Sequence, residues 1–71
     1  MIHRGYFYFN DVGKSQEEAI ATDSVDVMSF NTREALDTFQ ADFDCGGHYQ
    51  WFKVETIVDG VIVETEIDKD A

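Results

Sequence analysis

The chain has 71 residues, 44% hydrophobic and 28% charged, which is enough apolar material for one core and too little length for two. Fifteen Asp and Glu against five Lys and Arg leave a formal net charge of −10, beyond the magnitude of roughly 2 to 8 that keeps a small domain soluble. That sign argues against direct binding to nucleic acid or to an anionic membrane, both of which need a basic footprint, and it favours basic partner surfaces.

A single cysteine, Cys45, cannot close a disulfide within the chain, so a reducing, cytosolic setting is expected. The start Met1-Ile2-His3-Arg4-Gly5 lacks the apolar run of a secretory signal, and no apolar stretch approaches the ~20 residues that span a bilayer. No repeat or Pro/Gly-rich linker divides residues 1–71, so they are read as one acidic domain.

In chain order, the aromatic run Gly5-Tyr6-Phe7-Tyr8-Phe9 predicts a strand with Phe7 and Phe9 on one face and Tyr6 and Tyr8 on the other, the phenolic face toward solvent. Asn10-Asp11-Val12-Gly13-Lys14 reads as a turn. Ser15-Gln16-Glu17-Glu18 has the spacing of a helix capping box, whereas Ala19-Ile20-Ala21-Thr22 suits a strand equally well, and residues 15–24 stay open between the two. Ser24 to Phe30, with Val25 and Val27 alternating against Asp26 and Met28, predicts a second strand antiparallel to the first. A helix follows, capped by Asn31 or Thr32, with Ala35, Leu36, Phe39 and Phe43 on one stripe and Asp37, Gln40 and Asp44 on the far side. Cys45-Gly46-Gly47 stops it, one glycine taking the left-handed conformation.

Tyr49 to Val58 and Val61 to Ile67 alternate at period two around Asp59-Gly60, a dipeptide suited to a two-residue type I′ turn. A regular hairpin about that turn sets Phe52, Val54, Thr56 and Val58 in the core. The other face then carries Trp51, Lys53, Glu55 and Ile57, opposite Asp68, Glu66, Glu64 and Ile62. The expected fold is α+β: an antiparallel sheet of about four strands in β-β-α-β-β order, covered on one face by one helix.

That register places Glu55 directly across from Glu64, about 5 Å away, where like charges destabilise a ladder. Glu64, Glu66 and Asp68 follow one another about 6.7 Å apart along the same face. With Trp51 and Tyr49 beside them, charge for steering joins aromatic anchors, the composition of a binding face. Asp37, Asp42 and Asp44 on the helix form a second acidic zone, and the last two oppose the helix macrodipole. A solvated, merely soluble surface explains both zones equally well. The six phenylalanines read as core.

Metal and catalytic readings are weak. Asp42, Asp44 and Gly47 resemble the opening of a calcium loop, but its twelfth position is Lys53 rather than the required Glu. Cys45 and His48, with His3, supply too few ligands for a closed zinc site, and a thiol tucked under the sheet is the plainer expectation. No acid, base and pocket assemble, so no cofactor, metal or enzymatic activity is expected.

A chain of this size, acidity and element order resembles the small acidic inhibitor proteins of bacteriophages and mobile elements, including anti-CRISPR proteins and DNA mimics. The resemblance is one of type, covering the whole chain in size, sign and order. It implies stoichiometric binding, in the cytoplasm of a host bacterium, to the basic surface that a nucleic-acid-processing protein uses for DNA or RNA. Lys53, Arg33, Arg4 and Lys14 interrupt the acidic surface. A second reading is a structural or assembly module that forms a homodimer through a sheet edge or the Trp51 face.

Overall fold

The computed structural model describes residues 1–10, 12–22 and 25–68; Asp11 of the expected turn and Ser24 of the expected strand lie outside the described residues. Six elements follow in order: β1 (Ile2–Phe9), α1 (Gln16–Thr22), β2 (Asp26–Phe30), α2 (Arg33–Asp42), β3 (Tyr49–Val58) and β4 (Val61–Ile67). They build a four-stranded sheet in the order β2-β1-β3-β4 with antiparallel neighbours throughout. The α+β class and the antiparallel sheet agree with the sequence. The expected β-β-α-β-β order does not, because a second helix interrupts the first two strands.

That helix is α1, and Ser15 caps it: the Glu18 amide donates to Ser15 Oγ at 3.2 Å, while Ser15 Oγ donates to Glu18 Oε1 at 3.1 Å, a side-chain bond that ties the cap to the first turn. It packs against β1 and buries Ala19 completely. The longer helix α2 starts at Thr32, whose Oγ1 accepts the Ala35 amide at 3.1 Å, and it covers β1, β2 and β3. The two helices take opposite faces of the sheet, in place of the single covered face expected.

Under α2 the core is Phe7, Leu36 and Val54, with Met28, Phe30, Phe39, Tyr49 and Trp51 packed around them. Phe7 meets Phe39 edge-on at 5.3 Å and stacks on Tyr49 at 5.5 Å, so one ring links strand, helix and neighbouring strand. Two of the six phenylalanines depart from the core expected of them: Phe43 and Phe9 are exposed. On the α1 face Tyr8 is buried and Phe52 sits between Tyr6 and Tyr8, with ring centroids 6.2 and 5.9 Å away. The phenolic face of β1 is therefore a second core rather than a solvent face. In β2, Met28 and Phe30 turn to α2, while Val27 faces outward.

Two β-bulges set the register. Between β1 and β3 the pairs Tyr6 with Lys53 and Phe7 with Trp51 leave Phe52 as an extra residue. Phe52 thus joins the tyrosines, and Trp51 moves to the α2 face beside Val54, the reverse of the sequence expectation. Between β3 and β4 the Asp59-Gly60 turn has the expected positive φ at both residues, 53° and 80°, and Val58 pairs with Val61 and Ile57 with Ile62. Val63 is then extra, so Glu64 pairs with Thr56, Thr65 with Glu55, Glu66 with Val54 and Ile67 with Lys53.

The β4 bulge overturns the expected face-to-face pairing of Glu55 with Glu64 and of Lys53 with Glu66. A one-residue slip exchanges faces, so Glu64 and Glu66 lie on the α2 side while Glu55 stays on the α1 side. The slip separates Glu55 from its like neighbour Glu64, leaving Glu55 beside Arg4 on one face and Glu66 beside Arg33 on the other. Among the described residues, no helix is long and apolar enough to cross a membrane.

Candidate binding surface

The acids of β4 and of α2 meet through Arg33, at the start of α2. Its Nη1 donates to Glu66 Oε1 at 2.6 Å, its Nε to Asp37 Oδ1 at 2.9 Å, and its guanidinium carbon lies 5.4 Å from the centroid of the Trp51 ring. The hydrogen bond to Glu66 is the main cause that raises the Arg33 pKa, so this cation is held charged between two carboxylates. Both acids remain about half exposed, at 58% and 49% of their side chains, and the pairs contribute little to stability. Their effect is positional.

Beyond Trp51 the α2 face opens into a cleft of about 260 Å³ lined by Gln40, Asp44, Gly47, Gln50, Trp51 and Asp68. Gln40 fixes one wall, donating to the Tyr49 carbonyl at 2.7 Å and accepting the Trp51 amide at 3.0 Å. Asp44 shapes the turn after α2: its carbonyl accepts the amides of Gly47 and Tyr49, both at 2.9 Å, and its carboxylate accepts Gly46 N–H at 3.2 Å. Cys45, Gly46 and Gly47 all have positive φ there, so the thiol stands exposed on a turn and not under the sheet as expected.

The residues singled out from the sequence therefore divide. Asp37, Glu66 and Trp51 are joined by Arg33; Asp44, Asp68 and Trp51 share the cleft; Glu64 lies on the same face of β4. Asp42 is exposed at the end of α2. Tyr49 belongs to the core, where it donates a hydrogen bond to Asp26 Oδ2 at 2.7 Å, and burial first, then that bond, pushes its pKa well above the ordinary tyrosine value. Arg33 and Gln40 were not among the candidates. The spacing of Arg33 and Asp37 marks an i, i+4 pair, but nothing local signals Glu66 or the amide bridge of Gln40.

Glu55 is on the other side of the sheet and only 8% exposed. Its Oε1 accepts from Tyr6 OH at 2.7 Å, Arg4 Nη2 at 2.8 Å and Arg4 Nε at 3.0 Å, with Lys53 Nζ at 3.9 Å from Oε2. The Tyr6 bond, then the Arg4 bonds, hold its pKa below the usual carboxylate value, and the same contact raises that of Tyr6. This carboxylate knits β1 to β3.

His48 lies near one end of β1, with Nδ1 2.8 Å from the Asn10 carbonyl oxygen, whereas His3 pairs with Thr56 near the other, so the two imidazoles do not converge. Among the described residues no group of three or more His, Cys, Asp or Glu side chains is placed to hold a metal ion. Comparison of the chain with protein-family models, curated proteins and solved structures found no match.

Proposed function

We propose that the chain is a non-enzymatic acidic binding protein, an inhibitor of the anti-CRISPR and DNA-mimic type, that occupies the basic nucleic-acid-binding surface of a bacterial protein complex. The observation that carries this reading is the Arg33 bridge, which gathers Asp37 and Glu66 beside Trp51 on one side of the sheet. Glu64 extends that field along β4, and Asp44 and Asp68 extend it around the cleft. A field of one sign on a rigid sheet and helix steers association with an opposite surface, while a half-buried tryptophan supplies contact area.

The test is salt-dependent capture from a bacterial lysate on the immobilised protein, followed by displacement with duplex DNA or RNA. Nucleic-acid-binding proteins retained at low salt and released by about 0.5 M salt are the expected result, since that concentration screens surface charge within a few ångströms. The double variant Glu64→Lys, Glu66→Lys loses this capture while keeping its circular dichroism spectrum. Undiminished capture by the variant overturns the reading.

A further inference from the structure

The strand that carries the acids is also one of the two edges of the sheet among the described residues. In the order β2-β1-β3-β4, β4 pairs on one side only among the described residues, and all seven of its residues are exposed. Of the devices that blunt natural edges, β4 lacks lysine and proline and carries a bulge at Val63, beyond which residues 64–67 keep a regular register. The Asp68 amide donates to the Phe52 carbonyl at 3.0 Å, toward β3. Antiparallel alternation then directs the amides and carbonyls of Glu66 and Glu64 inward as well, and those of Thr65 and Ile67 outward. The side chains alternate too: Glu64 and Glu66 toward the α2 face, Thr65 and Ile67 toward the other, with Ile67 53% exposed.

We infer that β4 docks a partner by strand addition, and that its occupant is an extended basic segment with Lys or Arg at every second residue and aliphatic residues between. This rests on the acidic-docking reading and names the partner's chemistry within it. The outward groups of Thr65 and Ile67 hydrogen-bond the added backbone. Cations on the added strand fall opposite Glu64 and Glu66, and its aliphatic side chains lie against Thr65 and Ile67. Glu64 has no ion pair among the described residues, so its charge is available to the incoming strand. Charge also decides against a second copy of this chain. Antiparallel pairing of two β4 strands, with the outward groups of Thr65 and Ile67 turned to the other copy, sets Glu64 or Glu66 opposite itself or the two opposite each other, and like charges directly across a ladder repel.

Two capped heptapeptides of identical composition test this: one alternating Lys and Val, the other with four Lys followed by three Val. The alternating peptide binds at least about tenfold more tightly, and hydrogen exchange at the Thr65 and Ile67 amides slows by a similar factor on binding. Thr65→Pro, which removes an outward N–H, abolishes the preference between the two peptides. Glu64→Lys, at an exposed side chain, weakens the alternating peptide about tenfold and serves should the proline variant not fold. Equal binding of the two peptides, or binding without protection of Thr65 and Ile67, overturns strand addition and leaves the acidic-docking reading standing. Equal binding of an alternating Glu-Val peptide overturns both. Concentration-dependent protection of those amides in the free protein assigns the edge to a second copy and overturns the inference.

Discussion

A methyl group added to Gly5 would lie 2.7 Å from Cε1 of Phe7 and 3.2 Å from Cδ1 of Leu36. Both side chains are fully buried and neither can retreat, so the absence of a side chain at Gly5 is what lets the Phe7 ring fold back beneath α2. Gly5→Ala is expected to lower stability by about 1–3 kcal/mol, the range for overpacking a filled core, read from the midpoint of urea unfolding. Glu55 governs the opposite face. Its folded pKa is lowered from 4.5, so its contribution is complete above that value and is lost as pH falls through the lower folded one. The gap in melting midpoint between the protein and Glu55→Gln is therefore wide at neutral pH and closes in acid. Tyr6 and Tyr49 act at the alkaline end: both are raised above 10.0, so their contribution is present below pH 10 and disappears as they ionise.

At the scale of elements, the cap of α2 is separable from its packing. Thr32→Ala removes the acceptor for the Ala35 amide and should destabilise by about 1 kcal/mol, whereas Thr32→Ser restores most of it, as thermal melts of the two variants will show. Such caps are local, which is why Thr32, the Asp59-Gly60 turn and the extents of β3 and β4 could be read from the sequence. The register could not, because it is settled by residues far along the chain. Glu55 answers to Arg4, and Glu66 answers to Arg33. Around the second bulge the run Val61-Ile62-Val63 is uniformly β-branched, so a change of phase there leaves no polar residue out of place to betray it. The adjacent aromatics Trp51 and Phe52 hide the first bulge in the same way. Residues 15–24 offered a capping-box spacing and an equally plausible strand pattern; Gln16–Thr22 are helix, capped by Ser15 and packed on β1, where Ala19 and Tyr8 are buried. The acidic site was legible as composition, but its division between two faces was not.

For the whole molecule, an excess of ten negative charges sits on a body of 38 × 22 × 20 Å. At low ionic strength these charges repel over more than the molecule's own thickness, and the folded state bears more of that repulsion than the expanded one. Raising salt from about 10 mM to 0.5 M should therefore raise the melting midpoint by several degrees despite weakening the Arg33 pairs. Calorimetry across that range checks it, and a falling midpoint would show that specific ion pairs outweigh the general repulsion.

Because β1 and β4 each run antiparallel to β3, which lies between them, they run parallel to one another. Traction applied at Ile2 and Ile67 thus pulls the outer two of these three strands in opposite directions along their length, across hydrogen bonds that lie perpendicular to the load. Those bonds must give way together and not one after another. The arrangement makes the sheet a shear joint, mechanically stiffer along the chain than a hairpin peeled from its open end.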